Sequence, residues 1–420
     1  MILSMSGKEG KRGLVAESQA LDCLLAAAVP VSATETVGLD QALGRLLATP
    51  LVAVMDLPPF DNSAMDGYAV ASARIPPGGA TLPVSQRITA GTSPRPLQPG
   101  NVARIFTGAP LPPGADAVVP QEQCTLQEEE GQALRRVFIR TPVRPGQHVR
   151  RRGEDLACGE TVLPAGIRLG PQHLGLAAAV GSVGLEVFRR LRVATVFTGS
   201  ELVPPGRPLA PGQVYNSNRH TLHGLLHGLG CEILDLGIIP DDYETTLEAL
   251  LGAAEDADVI LTSGGASVGE EDHIKKAITT LGRLELWRIA IKPGKPLAFG
   301  FIGETPVLGL PGNPVSLFIT ACLFARPFLL KMQGAARWLP RRFPAEAGFS
   351  RRNPIGRSEY LRARLERHPE DGLRAVLHPR QGSAQFSAVA WADCLAVVPA
   401  GRTVAPGETI EVIPYSELLE

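Results

Sequence analysis

The sequence has few aromatic residues and no excess of either charge. Aromatic residues make up 5% of the 420 residues, and the 41 lysines and arginines are balanced by 42 aspartates and glutamates. Dedicated nucleic-acid-binding proteins usually combine a basic excess with stacking aromatics, so this composition argues against that class. Any basic binding site in the chain must therefore be local.

Paired cysteines and long hydrophobic runs are also lacking. The six cysteines are far apart and form no C-x-x-C pair, which argues against a disulfide framework or a zinc site and favours a reducing compartment. Glu17 and Asp22 interrupt the apolar stretch near the N-terminus, so it does not fit a signal peptide. The longest mostly apolar stretch, residues 315–325, ends before Arg326 and Pro327 and is too short to span a bilayer. We therefore expect a cytoplasmic protein without a membrane segment.

The composition and the residue pattern change along the chain, which predicts several domains. The predicted divisions are a disordered N-terminus at 1–13, a discontinuous helical and linker domain at 14–52 and 150–189, a β-rich domain at 53–149, an α/β domain at 190–336 and a C-terminal β-barrel domain at 337–420. Residues 40–47 resemble a capped helix, and the acidic run 128–130 resembles a solvated hairpin tip.

The α/β region alternates between strand and helix patterns. Strands are predicted at 192–197, 231–239 and 258–262, and Asn218 is predicted to cap a helix that ends at Leu229. This alternation is typical of a doubly wound parallel sheet that binds ligands at the carboxyl ends of its strands. The remaining C-terminal residues return to period-two alternation, which predicts a small β-barrel.

A glycine-rich loop follows the predicted strand 258–262. Glycines at a strand end allow backbone amides to point at an anion, and the following helix N-terminus adds partial positive charge. The residues expected to contact a phosphate are Ser263, Gly264, Gly265 and Ser267. The loop is neither a Walker A loop nor a dinucleotide-binding loop, and a plain tight turn is the alternative interpretation.

Acidic residues and two proline-bounded turns complete the predicted site. Glu201, Asp241 and Asp272 follow neighbouring strands, so a parallel sheet would bring them to one edge, where oxygen ligands suit Mg²⁺. Taken singly, each acid is more often a helix cap or a surface residue. Lys292 and Lys295 belong to a Lys-Pro-Gly-Lys-Pro turn, and residues 311–314 form a Pro-Gly-Asn-Pro turn. Because proline fixes φ, these turns would hold cations and backbone amides ready for an oxyanion.

Two further clusters each allow two interpretations. Arg150, Arg151 and Arg152 precede two acids, which is typical either of a salt-bridged turn or of an anion site. The histidines at 220, 223 and 227 have helical spacing, which fits ordinary packing better than a metal site.

Together these motifs resemble the molybdopterin molybdenumtransferase family of the MoeA type, whose eukaryotic relatives include the gephyrin and Cnx E domains. The resemblance extends from about residue 14 to the C-terminus, in the family's order. The matching segments are residues 60–70, 104–110, 150–155, 263–270, 291–296 and 309–316.

The resemblance implies a function and an assembly. It implies insertion of molybdate into adenylylated molybdopterin, with Mg²⁺-dependent release of AMP, in a homodimer of four-domain subunits whose clefts are shared. The protein partners that it implies are molybdopterin adenylyltransferase and recipient molybdoenzymes, with neither nucleic acid nor membrane. A gephyrin-like scaffold and a molybdopterin adenylyltransferase are the alternatives. The shortness of the segment before residue 14 argues against the scaffold, and the Asp66 motif and β-rich C-terminus argue against the adenylyltransferase.

The resemblance also assigns roles to residues, motif by motif. One subunit would supply a wall with Asp66, Thr107 and Asp155, and the other would supply the metal ligands Glu201, Asp241 and Asp272. The residues that would surround the pterin phosphates and molybdate are Lys292, Lys295, Pro311, Gly312, Asn313, Pro314, Ser316, Arg362 and Ser383. The positions that depart from the family pattern are Ser200, Asn216 and Arg288. We expect Arg362→Ala to weaken molybdate binding and to leave the folding midpoint nearly unchanged.

Overall fold

The computed structural model describes residues 14–127, 135–140, 142–264, 273–367 and 372–419. The strands before residue 190 are β1 (Thr34–Gly38), β2 (Leu51–Val52), β3 (Asn62–Ser63), β4 (Gly67–Val70), β5 (Ala80–Ile88), β6 (Val102–Ile105), β7 (Ala117–Pro120), β8 (Cys124–Gln127), β9 (Arg136–Ile139), β10 (Val149–Arg150), β11 (Thr161–Leu163) and β12 (Gly184–Phe188). The helices in the same stretch are α1 (Glu17–Ala27) and α2 (Pro171–Ala179), with 3-10 turns at Leu39–Gln41, Ser72–Arg74 and Gln121–Gln123.

Segments on both sides of the β-rich part of the chain pair with each other. β1 is antiparallel to β12, and β2 is antiparallel to β11. The prediction of a capped helix over 40–47 is wrong, because only the 3-10 turn at Leu39–Gln41 is helical there. Gly44 has a φ of +74°, which ends any helix, and Leu46 and Leu47 then form bridges with Arg168 and Val187.

The β-rich part forms a sheet with the strand order β7-β4-β6-β5-β9-β8. β4 is antiparallel to both β6 and β7, whereas β5 and β6 run parallel. Residues 128–134, which include the predicted hairpin tip, lie outside the described residues, but the flanking strands β8 and β9 are antiparallel. The short pair of β3 and β10 holds the loop that leads into β4.

The α/β part follows. Its strands are β13 (Arg192–Thr198), β14 (Leu202–Val203), β15 (Val214–Tyr215), β16 (Glu232–Ile239), β17 (Val259–Ser263), β18 (Gly282–Arg288), β19 (Ile291–Lys292), β20 (Pro296–Ile302) and β21 (Thr305–Leu310). Its helices are α3 (Ser217–Gly228), α4 (Tyr243–Asp256), α5 (His273–Leu281) and α6 (Pro314–Met332).

Six of these strands form the predicted doubly wound sheet, with the order β16-β13-β17-β21-β20-β18. The first four strands run parallel, and β20 and β18 add an antiparallel edge. Leu222 of α3 and Leu317 of α6 pack on one face, whereas Leu250 of α4 and Ile278 of α5 pack on the other. Helices on both faces bury the sheet, and its carboxyl edge remains available for a ligand.

Helix α6 is longer than the sequence suggests. It continues through Arg326 and Pro327, so the prediction that the apolar segment ends there is wrong. A π-helical turn at Ala321–Ala325, closed by a hydrogen bond from the Arg326 nitrogen to the Ala321 carbonyl, lets the helix accommodate a residue without an N–H group. The helix has 19 residues and a mean hydropathy of 1.6, enough to cross a membrane by length and composition, but 94% of it is buried inside the protein. A helix that is buried to this extent belongs to the core of the protein.

The C-terminal part closes into a barrel, as predicted. Its elements are β22 (Phe343–Ala347), β23 (Ser358–Arg367), β24 (Leu373–Leu377), β25 (Cys394–Val398), β26 (Thr409–Pro414), α7 (Ser387–Trp391) and α8 (Tyr415–Leu419). The five strands form a closed ring in the order β23-β24-β22-β26-β25, because β25 also pairs with β23. β19 of the α/β part adds to the barrel as a parallel neighbour of β23.

Candidate active site

Asp66 and Thr107 lie together at one end of the β-rich sheet. Asp66 immediately precedes β4, and Thr107 follows the adjacent strand β6. One carboxylate oxygen of Asp66 accepts hydrogen bonds from the Thr107 backbone nitrogen at 2.8 Å and from its hydroxyl at 2.7 Å. The backbone bond is the main reason that the pKa of Asp66 is lowered from its ordinary value, and the hydroxyl bond adds to the effect. Asp66 is therefore a charged acceptor at neutral pH.

The arginine-rich turn is held by ion pairs. Arg151 lies 2.6 Å from Asp61, and Arg152 lies 2.5 Å from Asp56. Both arginine side chains are more than half exposed, so each pair stabilises the fold by at most about 1 kcal/mol. The backbone nitrogen of Asp155 donates to the Leu57 carbonyl, and its side chain is exposed. Of the two interpretations of this cluster, the salt-bridged turn is therefore the one that applies to Arg151 and Arg152.

Two of the predicted metal ligands follow neighbouring parallel strands. Glu201 comes after β13 and Asp241 after β16, and both side chains are exposed at the carboxyl edge of the sheet. A Cβ atom at Gly199 would lie 2.6 Å from a Glu201 carboxylate oxygen, so the glycine makes room for this carboxylate. The third predicted ligand, Asp272, lies outside the described residues, as do Gly265 and Ser267.

The carboxylates at this edge of the sheet are oxygen ligands of the kind that suits Mg²⁺. The described ranges of the chain contain no group of three or more histidine, cysteine, aspartate or glutamate residues placed to hold a metal ion. Mg²⁺, however, is commonly held by one or two carboxylates together with substrate phosphates and water. Glu201 and Asp241 are two carboxylates at the ends of neighbouring strands, and the space that Gly199 leaves lies beside one of them.

Asn218 connects the glycine-rich loop to the Pro-Gly-Asn-Pro turn. Its side-chain nitrogen donates to the Ser263 hydroxyl at 2.9 Å and to the Gly312 carbonyl at 2.7 Å. The prediction that Asn218 caps α3 is wrong, because the cap is Asn216, whose side chain accepts a hydrogen bond from the Arg219 nitrogen at 3.1 Å. The bridging role of Asn218 was not predicted from the sequence. An asparagine near the start of a helix at the carboxyl edge of a sheet was the available signal.

The residues of this second turn have different roles. Asn313 caps α6, since its side-chain oxygen accepts from the nitrogens of Val315 and Ser316 at 3.1 and 3.2 Å. Pro314 is the first helical residue, where its missing N–H costs nothing. Pro311 and Ser316 are buried, whereas Gly312 is exposed. The backbone at Gly312 is therefore the part of the turn that a ligand can approach.

The lysine turn packs against the first turns of α6. Gly294 has a φ of +105°, and a Cβ there would lie 2.5 Å from the Thr320 hydroxyl, so only glycine fits. The Lys295 carbonyl accepts from the Ile289 nitrogen at 2.7 Å, which closes the turn. Lys292 is 46% exposed, and its ammonium lies 3.2 Å from the Glu359 carboxylate.

Arg362 is buried beneath the loop that carries Ser383. The exposed fraction of Arg362 is 0%, and its guanidinium donates to the Gly382 carbonyl at 3.0 Å. Gln381 accepts from the Arg362 nitrogen and donates to the Arg362 carbonyl, at 3.0 and 2.7 Å, and Ser383 is exposed above them. Burial lowers the pKa of the guanidinium. The lowered pKa means that the fold disfavours the guanidinium charge, and the buried Nε atom has no hydrogen-bond partner among the described residues, so the unchanged folding midpoint stays a prediction.

Not all of the predicted site residues contact one another. Within β23, Glu359 and Leu361 face the barrel interior, whereas Tyr360 and Arg362 face the opposite side. In the part of the chain that the structure describes, no hydrogen bond joins Arg362 to Lys292. Of the three histidines, His223 packs edge-on against Phe197, and its ring nitrogen lies 3.0 Å from the Thr195 hydroxyl.

Comparison with known proteins assigns the chain to a family. The family models that match are the MoeA N-terminal region (domains I and II) at 15–181, the probable molybdopterin-binding domain at 194–331 and the MoeA C-terminal region (domain IV) at 344–415. The molybdopterin molybdenumtransferase of Haemophilus influenzae is 39% identical over 389 residues, which cover 92% of this chain and 95% of that protein. The chain belongs to the molybdopterin molybdenumtransferase (MoeA) family.

Other members of the MoeA family agree in sequence and in fold. The molybdopterin molybdenumtransferase of Synechococcus elongatus is 39% identical over 416 residues, covering 95% of this chain and 99% of its own. The crystal structure of a MoeA protein from Pyrococcus horikoshii OT3 matches with a TM-score of 0.82 at 29% identity, covering 96% of this chain and 100% of its own. The predicted family, fold class and transferase role in molybdenum cofactor biosynthesis are confirmed. This coverage also argues against the adenylyltransferase alternative.

Proposed function

We propose that the protein inserts molybdate into adenylylated molybdopterin and releases AMP, with Mg²⁺ held by Glu201 and Asp241. The proposal rests on one observation. Three elements suited to bind anions lie at the same edge of the sheet. The glycine-rich loop follows β17, the Pro-Gly-Asn-Pro turn follows the adjacent β21, and the lysine turn precedes the next strand, β20. Asn218 and the contact of Gly294 with α6 tie these elements together.

Each element has a defined task in this proposal. The backbone amide at Gly312 orients the phosphates, since the Gly264 amide already donates to the Leu310 carbonyl, and Lys292 and Lys295 attract molybdate and balance phosphate charge. When bound, Mg²⁺ would polarise the pyrophosphate and neutralise its charge. A molybdate oxygen or water attacks the adenylyl phosphorus, and the P–O bond to the bridging oxygen breaks, so that the pterin keeps a monophosphate. Attack by water releases AMP directly, and attack by molybdate gives an adenylyl-molybdate that water hydrolyses to AMP and molybdate. No side-chain nucleophile is required.

We further propose that the protein is a homodimer with shared clefts. The described hydrogen-bond partners of Asp66, Thr107 and Asp155 all lie between residues 57 and 121, so no described hydrogen bond ties this wall to the sheet edge of its own chain. Apolar side chains are exposed on the N-terminal part, where a second copy would bury them: Leu43, Val52, Val54, Met55 and Val183. A Cβ atom added to Gly181 would lie 3.9 Å from the Met55 sulfur. The segments that carry Met55 and Val183 therefore lie side by side.

The chemistry of the substrate and product implies two protein partners. An adenylyltransferase must supply the adenylylated pterin, and molybdoenzymes must receive the product. The six cysteines are all unpaired, which supports a cytoplasmic, reducing location.

The test is AMP release by the purified protein, followed in time with adenylylated molybdopterin, molybdate and MgCl2. AMP release that requires both molybdate and magnesium, stops with EDTA and needs a higher molybdate concentration in Lys292→Met supports the proposal. Release that is independent of molybdate, or unaffected by Lys292→Met, contradicts it. Glu411→Gln serves as the matched control, since Glu411 is an exposed residue that pairs with Arg342.

A further inference from the structure

Glu359 is a buried carboxylate at the junction between the lysine turn and the barrel. It is only 4% exposed, and the same oxygen lies 3.2 Å from the Lys292 ammonium and 3.2 Å from the Arg351 guanidinium. A carboxylate withdrawn from water needs such partners, because an unpaired buried charge is strongly destabilising. The three side chains together therefore form one ion cluster around a buried carboxylate at the edge of the proposed site.

The backbone brings Lys292 to this position. β19 and β23 are paired with Ile291 opposite Ser358 and Lys292 opposite Glu359. The Ser358 nitrogen donates to the Ala290 carbonyl at 2.8 Å, which continues the pairing by one bond. This two-residue ladder fixes the Lys292 backbone but leaves its four-carbon side chain free to rotate. The carboxylate of Glu359 is what fixes the ammonium.

We propose that Glu359 is a positioning residue that holds the Lys292 ammonium in place for the oxyanion substrate. The inference rests on the proposed function, in which Lys292 contacts molybdate or phosphate. An ammonium has three donors, so the bond to Glu359 leaves two for a ligand, and Lys292 is exposed enough to use them. Arg351 balances the carboxylate charge, so the cluster keeps a net charge of +1 toward an anion.

The expected effect follows from the conformational entropy of lysine. Ordering a free lysine side chain costs conformational entropy, and Glu359 removes much of that cost before the ligand binds. We therefore expect Glu359→Gln to raise the KM for molybdate about tenfold, with a smaller change in kcat. Adding Glu359→Gln to Lys292→Met should raise the KM no further, because Glu359 acts through Lys292.

The experiment measures the KM for molybdate and kcat in the AMP-release assay on the full chain, with Glu411→Gln as the control that keeps wild-type values. A higher KM in Glu359→Gln, with partial recovery in Glu359→Asp and no added effect in the double variant, supports the proposal. A wild-type KM in Glu359→Gln, or an additive effect in the double variant, overturns it. An unchanged KM in Lys292→Met contradicts the proposed function instead.

A second variant covers the case in which Glu359→Gln fails to fold. Glu359→Met combined with Arg351→Met removes the buried carboxylate together with its arginine partner, and replacing both partners of such an ion pair by apolar side chains is often neutral for stability. This variant leaves Lys292 without its partner carboxylate. A raised KM for molybdate supports the positioning role, and an unchanged KM overturns it.

Discussion

The carboxylate of Asp66 is held by Thr107 through two hydrogen bonds, at 2.8 Å from the backbone nitrogen and at 2.7 Å from the hydroxyl. Both bonds favour the charged carboxylate and lower its pKa. Stability from this pair is therefore complete above the ordinary pKa of aspartate and is lost as the pH falls through the lower, folded-state value.

Thr107→Val should raise the pKa of Asp66 part of the way toward its ordinary value, because the hydroxyl bond is lost and the backbone bond remains. NMR titration of the Asp66 carboxyl carbon measures this change directly. Thr107→Ser keeps the hydroxyl and should retain the wild-type pKa. If Thr107→Val titrates like the wild type, the hydroxyl does not control the charge of Asp66.

Arg362 should contribute more to molybdate binding than to stability. Arg362→Met removes the hydrogen bond to the Gly382 carbonyl, but it also removes a buried charge whose Nε has no hydrogen-bond partner among the described residues. Because these two effects oppose each other, the free energy of unfolding, measured in urea, should stay within about 1 kcal/mol of the wild type, and the KM for molybdate should rise. Arg362→Lys should recover only part of the molybdate binding, because the planar fork is lost. A wild-type KM in Arg362→Met, or a loss of several kcal/mol of stability, would show that Arg362 is a structural residue.

The N-cap of α3 offers a prediction with a conservative control. Asn216→Ala removes the acceptor for the Arg219 nitrogen and should lower the free energy of unfolding by about 1 kcal/mol. Asn216→Asp keeps the acceptor and adds a negative charge at a helix N-terminus, so its stability should equal or exceed that of the wild type. Urea denaturation of both variants checks this. Equal losses in both would exclude capping as the role of Asn216.

Local patterns were sufficient to predict most of the α/β sheet and the barrel. Alternation of strand and helix, and period-two alternation near the C-terminus, are encoded in neighbouring residues. The failed predictions involve partners that are distant in sequence. Residues 40–47 carry a helical pattern but pair with Arg168 and Val187, and α6 passes Pro327 because a π-helical turn accommodates it.

The candidate site was predictable where a motif carries it and not where tertiary pairing creates it. The glycine-rich loop and the two proline-bounded turns stand out by composition, and the sheet brings these elements to one edge. The bridge from Asn218 to Gly312 and the contact of Glu359 with Lys292 join residues of different elements. Nothing in the local sequence of Glu359 indicates that it is buried between two cations.

A mixed dimer tests the shared cleft. Asp66→Ala and Asp241→Ala chains, carrying different affinity tags, are co-expressed and purified through both tags, and their AMP release is compared with that of each parent. Both parents should be inactive, and the mixed dimer, with one intact cleft of two, should have about half of the wild-type activity. A mixed dimer as inactive as its parents, or a failure to recover any mixed dimer, would contradict the shared cleft.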